Sequence, residues 1–133
     1  MIRNLIIIVF GVFVLVSCSK DEQDKLFGKW QMQQVEENGV VQSVDTVYFN
    51  FEHSLFMYQI YMPSTSEYQF RYGYNTIAGD SILLEIVSNP APVRDFLPLT
   101  DWTSDKRTYA IDKISGKQLI LSSERKKYTF RKF

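Results

Sequence analysis

Cysteine and histidine each occur once in this chain of 133 residues, and that scarcity removes most metal chemistry. A zinc site needs several nitrogen or sulfur ligands, so neither a structural nor a catalytic zinc is expected, and a single cysteine forms no internal disulfide. Net charge is lacking as well. Lys and Arg number 15 and Asp and Glu number 15, which argues against a nucleic-acid partner and against electrostatic attachment to acidic lipid. Glycine-rich phosphate loops are missing, as is a nucleophile elbow with an ordered Ser, His and acid. His53 follows Phe51-Glu52 at a strand end and reads as a turn residue. Asp80, Glu85, Asp95, Asp101 and Asp105 are scattered near turns, and nothing selects a general acid/base pair among them. The expectation is a protein without catalytic residues, cofactor or metal.

The longest apolar run, Leu5 to Val16, is too short to cross a bilayer, which takes a helix of about 20 residues. It follows a once-positive lead, Ile2-Arg3-Asn4, and has the length of a signal-peptide core. Leu15-Val16-Ser17-Cys18 then closes it. This resembles the lipobox of bacterial lipoproteins: an aliphatic residue, a small or aliphatic one, a small one, then Cys. The resemblance implies removal of residues 1–17, diacylglycerol on the Cys18 sulfur, and a third acyl chain, palmitate or similar, on its new amine. An uncleaved anchor with an incidental cysteine is the competing reading. Each buried methylene contributes about 0.8 kcal/mol, so several chains hold a protein on a membrane that it does not span.

Residues 18–25 are polar and aperiodic after the cysteine and read as a solvated tether. Ser19 is not the Asp that resembles an inner-membrane retention signal. Lys20-Asp21-Glu22 resembles the Lys-acid-acid signal of surface lipoproteins of Bacteroidetes, so the expected location is the outer membrane, on either its periplasmic or its surface face.

Residues 26–133 are enough for one domain with one core. They read as eight strands: Trp30–Val35, Val44–Glu52, Leu55–Met62, Glu67–Thr76, Ser81–Ser88, Arg107–Ile114, Gln118–Ser122 and Lys127–Lys132. Turn signals such as Asn38-Gly39 and Ser115-Gly116 separate them. Short sequential links predict an eight-stranded antiparallel up-and-down barrel, because closure removes the unpaired edges. A β-sandwich of the same strands is the alternative.

Leu26-Phe27-Gly28-Lys29-Trp30 resembles the Gly-x-Trp signature that opens lipocalins and related small barrels, and the chain as a whole resembles the small lipocalin-like lipoproteins of Bacteroidetes. The resemblance implies that Gly28 shapes the entry, that Trp30 plugs the closed end, and that a basic residue of the last strands, Arg131 or Arg125, packs on the indole. Any ligand would sit at the opposite, open end. A Thr-Asp-Tyr triplet, a further lipocalin motif, is absent.

Aromatic residues are what the chain has in excess. It holds ten Phe, eight Tyr and two Trp, and half of them fall between Tyr48 and Tyr74. Tyr68, Phe70, Tyr72 and Tyr74 share one face of the fourth strand, opposed by Gln69, Arg71, Gly73 and Asn75. One reading is cross-strand aromatic pairing that stabilises the sheet. The other is a concave wall for a small apolar or aromatic ligand, with Tyr58 and Trp102 as further candidates. The proline-rich connection Asn89–Lys106 carries Phe96, Leu97 and Trp102. It either folds over one barrel end through a short helical turn at Val93–Phe96 and seals it, or presents an apolar patch to a protein partner of an outer-membrane assembly.

Overall fold

A computed structural model of the chain describes residues 23–133. The expected signal segment 1–17, Cys18 and the expected tether up to residue 22 lie outside the described residues. Residues 23–26 form one helical turn, which brings Leu26 into the base of the fold, fully buried.

Nine strands follow: β1 Gly28–Glu37, β2 Val40–Ser43, β3 Val47–Glu52, β4 Leu55–Met62, β5 Glu67–Ala78, β6 Ser81–Ile86, β7 Lys106–Ile114, β8 Gln118–Ser123 and β9 Lys126–Lys132. Each pairs antiparallel with its neighbour in the order β2-β1-β3-β4-β5-β6-β7-β8-β9, and β1 also pairs with β9. Asn38 and Gly39 both take positive φ, 54° and 78°, the requirement of a two-residue hairpin turn whose twist matches the flanking strands. The chain therefore returns along β1 at once as β2, earlier than the expected start at Val44. β2 lies beside Gln34–Glu37 and β3 beside Gly28–Gln31, on the same edge of β1. They are two halves of one broken strand, so the barrel is eight-stranded.

Closure runs from Trp30 opposite Lys132 to Glu37 opposite Lys126, with a bulge between Met32 and Gln34. A sandwich would leave β1 and β9 as separate edges; here neither edge is free along that seam. The interior is filled by side chains, with Trp30, Phe49, Phe56, Tyr109, Leu119 and Phe130 fully buried. Rings meet edge-on, as Phe49 does with Tyr58 at 4.8 Å and with Phe56 at 5.1 Å, the arrangement that their quadrupoles favour.

The two barrel ends are closed by different devices. At the base, Gly28 takes φ +119°, a backbone that L side chains avoid, and lets the chain turn into β1. At the other end the connection between β6 and β7 crosses the opening through two 3-10 turns, Val93–Asp95 and Leu97–Leu99, and drives Phe96 and Trp102 inward.

Candidate functional site

The pairing register decides what each tyrosine can do. β4 and β5 match Tyr58 with Arg71 and Phe56 with Gly73. Because Phe56 and Tyr58 point inward, Arg71, Gly73 and Asn75 do too, and all three are buried. Tyr68, Phe70, Tyr72 and Tyr74 must then face outward. The aromatic stripe does not line the barrel interior; Tyr68, Tyr72 and Tyr74 stay 47%, 46% and 51% exposed. Phe49, Phe56, Tyr58, Phe96 and Trp102 already fill the inside, which leaves room on β5 for no further rings. Tyr58 and Trp102 are core residues, 5.7 Å apart edge to face, and so are separated from the rest of the expected set.

Outside, the stripe joins a ladder of cross-strand neighbours. Tyr74 sits opposite Leu55, Tyr72 opposite Met57, and Tyr68 opposite Tyr61. Tyr61 and Tyr68 pack at 5.1 Å and Tyr48 and Phe133 at 5.3 Å, with the Lys29 ammonium 4.6 Å from the Tyr48 ring. The stripe thus combines aromatic pairing with an outer concavity. A groove of about 340 Å³ is lined by Phe27, Lys29, Asn50, Leu55, Met57 and Tyr72, among others. A second cleft of about 240 Å³ shares Leu55, Phe56 and Tyr72 with it and continues to Tyr74 and Val87. Phe27 and Leu55 are each half exposed, so the walls are apolar and open to a visitor. Asn50 is part of the lining, and its side-chain NH2 is buried with no acceptor among the described residues. Such an orphaned donor costs about 1–3 kcal/mol. Sequence reasoning missed Phe27, Asn50, Leu55 and Met57, which become neighbours only through strand pairing.

At the base, Trp30 is fully buried and its indole N–H donates to the Leu26 carbonyl at 2.8 Å. The cation on its ring is Lys132, 4.6 Å from the centroid, and not Arg131 or Arg125. Antiparallel register sets Trp30 opposite Lys132 and Gln31 opposite Arg131, so Arg131 points outward, where its Nε donates to the Gln31 side chain at 2.8 Å. Lys132 also donates to the Phe27 carbonyl, and burial pulls its ammonium pKa below the usual lysine value.

The opposite end is not open, as expected for a ligand entrance, but capped. Trp102 donates its indole N–H to the Tyr109 hydroxyl at 2.8 Å. Beside it the buried Arg107 donates to Asp101 at 2.9 Å, to the Tyr128 hydroxyl at 2.9 Å and to Ser123 at 3.2 Å. Tyr128 in turn donates to Asp101. Burial pushes the phenols of Tyr58, Tyr109 and Tyr128 well above the ordinary tyrosine value, with the Asp101 charge adding to it. This network latches the strap, and each of its members is engaged. His53 lies in the turn after β3, its ring 5.9 Å from Phe27. Among the described residues no three His, Cys, Asp or Glu side chains are placed to share a metal ion.

Residues 13–133 match the family described as a lipocalin-like domain. Solved structures superpose on the chain, among them these two. A lipocalin-like protein from Bacteroides uniformis gives a TM-score of 0.71 at 26% identity, covering 82% of this chain and 99% of its own. An uncharacterized protein from Bacteroides eggerthii gives 0.66 at 26% identity, covering 81% and 99%. No curated protein matches.

Proposed function

Because the chain belongs to the lipocalin-like domain family, we propose that it is a non-catalytic binding protein, held at the outer membrane by lipid on Cys18, that carries a small apolar or aromatic ligand. The ligand lies on the outside of the barrel, against β4 and β5. One observation carries this: the groove of about 340 Å³ walled by Phe27, Leu55, Met57 and Tyr72, with Asn50, whose buried NH2 is unpaired, in its lining. That volume falls in the range of small-molecule sites, about 300–1,000 Å³. A few polar groups in an apolar wall are what such sites use to orient a ligand.

Native mass spectrometry of the protein taken from its own membrane tests the proposal. The expected spectrum shows a mature form lacking residues 1–17, carrying acyl mass on Cys18 and a co-purifying small molecule. Leu55→Ser with Tyr72→Ser should remove that molecule while the melting temperature stays within a few degrees, since both side chains are about half exposed and surface changes usually cost under about 0.5 kcal/mol. A ligand retained in full by the double variant rejects the groove. A Cys18→Ser variant that still fractionates with membranes rejects the anchor.

A second reading, a protein-partner module of an outer-membrane assembly, draws on the exposed Tyr68, Tyr74 and Phe133 beyond the groove. A partner polypeptide in place of a small molecule, lost on Tyr68→Ser, would favour it.

A further inference from the structure

Two arginines are buried inside this barrel, and their surroundings differ in kind. Arg107 satisfies all three guanidinium nitrogens, with Asp101 and Glu124 as counter-charges at 2.9 and 3.4 Å. Arg71, on β5, is only 6% exposed and has no carboxylate within 4 Å among the described residues. One terminal nitrogen donates to the neighbouring Phe70 carbonyl at 2.7 Å, the other to the Pro92 carbonyl of the strap at a long 3.3 Å. Its Nε is buried and donates to nothing. Asp95, the acid that precedes Phe96 in the strap, points to solvent beside Arg94 at 3.6 Å.

A desolvated guanidinium facing neutral carbonyls is an expensive arrangement, since removing a charge from water costs several kcal/mol unless an opposite charge answers it. What covers Arg71 is an aromatic ring. Phe96, fully buried, lies with its centroid 5.0 Å from the guanidinium carbon and 5.5 Å from the Tyr58 ring. It reaches that place from a short 3-10 segment that carries Arg94 and Asp95 on its solvent side. Near Phe96, the strap is tied to β5 by the long Arg71–Pro92 bond and, at its start, by Tyr72 N–H to the Asn89 carbonyl at 2.9 Å, while the exposed bond from Val93 N–H to Ser88 Oγ at 3.0 Å stays within the connection itself. The strong latch, Asp101 with Arg107 and Trp102 with Tyr109, sits at the far end of the connection and would stay closed while the Phe96 end lifts.

We propose that Phe96 occupies the seat of a ligand: a small molecule with an aryl or short alkyl body and one carboxylate. When the strap segment around Phe96 lifts, the body takes the place of the phenyl ring against Tyr58, and the carboxylate takes the Arg71 Nε together with a terminal nitrogen. Two parallel N–H···O bonds of that kind are the strong, orienting form of arginine recognition. This interior site is separate from the outer groove and does not depend on it.

Isothermal titration of the purified domain with benzoate and with benzyl alcohol, which differ in charge far more than in size, tests the idea. Phe96→Ala leaves an apolar space that a ring can fill. It should bind benzoate at least ~10-fold more tightly than benzyl alcohol, a margin of the size expected for a charged hydrogen bond, and more tightly than the parent protein does. Adding Arg71→Gln should erase the preference for the acid. Equal affinity for the two probes, no binding by folded Phe96→Ala, or a preference that survives Arg71→Gln overturns the proposal. Should Phe96→Ala fail to fold, Arg71→Met in the parent decides: a functional guanidinium left unpaired predicts an equal or higher melting temperature. A fall of more than about 5 °C, on the order of 1 kcal/mol for a domain this size, would make Arg71 a structural residue and overturn the site.

Discussion

Trp30 is the residue that plugs the base of this barrel. Its indole is fully buried, bonded to Leu26 and covered by Lys132. Truncation to Ala removes a large buried side chain from a packed wall, and such deletions cost about 3–5 kcal/mol out of the 5–15 kcal/mol typical of a domain. Urea denaturation of Trp30→Ala should register that loss or find the domain unfolded. Lys132→Met should register far less, about 0.5–1 kcal/mol, the worth of a cation on a ring at an exposed site. An Ala variant with an unchanged midpoint would refute the plug. The positions of Gly28 and Trp30 were readable as a motif because backbone conformation and ring size are properties of single residues. The identity of the cation was not, because Arg131 and Lys132 differ by one place in a strand and a one-residue shift exchanges the two faces.

At the level of elements, β5 is the informative strand. Its alternation was legible: rings at Tyr68, Phe70, Tyr72 and Tyr74, polar or small residues between them. Which face meets the core was not, since it depends on how much volume the other strands and the strap deliver inside. Gly73 marks the place where β5 leaves β4 for β6, pairing with Phe56 on one side and Ile86 on the other. A methyl group there would overlap the Glu85 carbonyl oxygen, so Gly73→Ala should push β6 away from β5. Overpacking of this kind costs about 1–3 kcal/mol. Hydrogen exchange should show it locally, as faster exchange of the Val87 amide that donates to the Tyr72 carbonyl at 2.9 Å. Unchanged protection at Val87 would mean that the strands absorb the methyl without parting. The strap was visible in the sequence as a proline-rich stretch with buried-type residues, and its sealing role follows from Phe96 and Trp102 entering the barrel.

For the whole molecule, three buried phenols couple folding to alkaline pH. Tyr58, Tyr109 and Tyr128 have folded pKa values raised above their unfolded value, chiefly by burial. The folded state keeps protons that the unfolded chain releases, so their contribution is complete below about pH 10, the ordinary tyrosine pKa, and is lost as pH rises beyond it. Lys132 has the opposite sign, because its folded pKa is lowered and its contribution is complete only above the ordinary lysine value. One such group does not offset three. Unfolding in alkali should therefore begin above about pH 10, with phenolate absorbance from these three tyrosines rising together with the loss of β-sheet circular dichroism. Phenolate from Tyr109 while the sheet remains intact would contradict its burial.

The sequence by itself determined the eight-stranded barrel and its antiparallel meander, though not the break of the second strand into β2 and β3, and the aromatic wealth of its middle third. Alternation, turn residues and chain length are local, and each acts within a few residues of where it is written. It also carried the address signal before Gln23 as an expectation, since a lipobox is read from linear sequence. Only the tertiary structure decided that the barrel is full, that the tyrosine stripe looks outward and that Arg71 looks inward. Those outcomes depend on a contest for interior volume among residues far apart in the chain, in which Phe49, Phe56, Phe96 and Trp102 fill the space and β5 turns its smaller face to them.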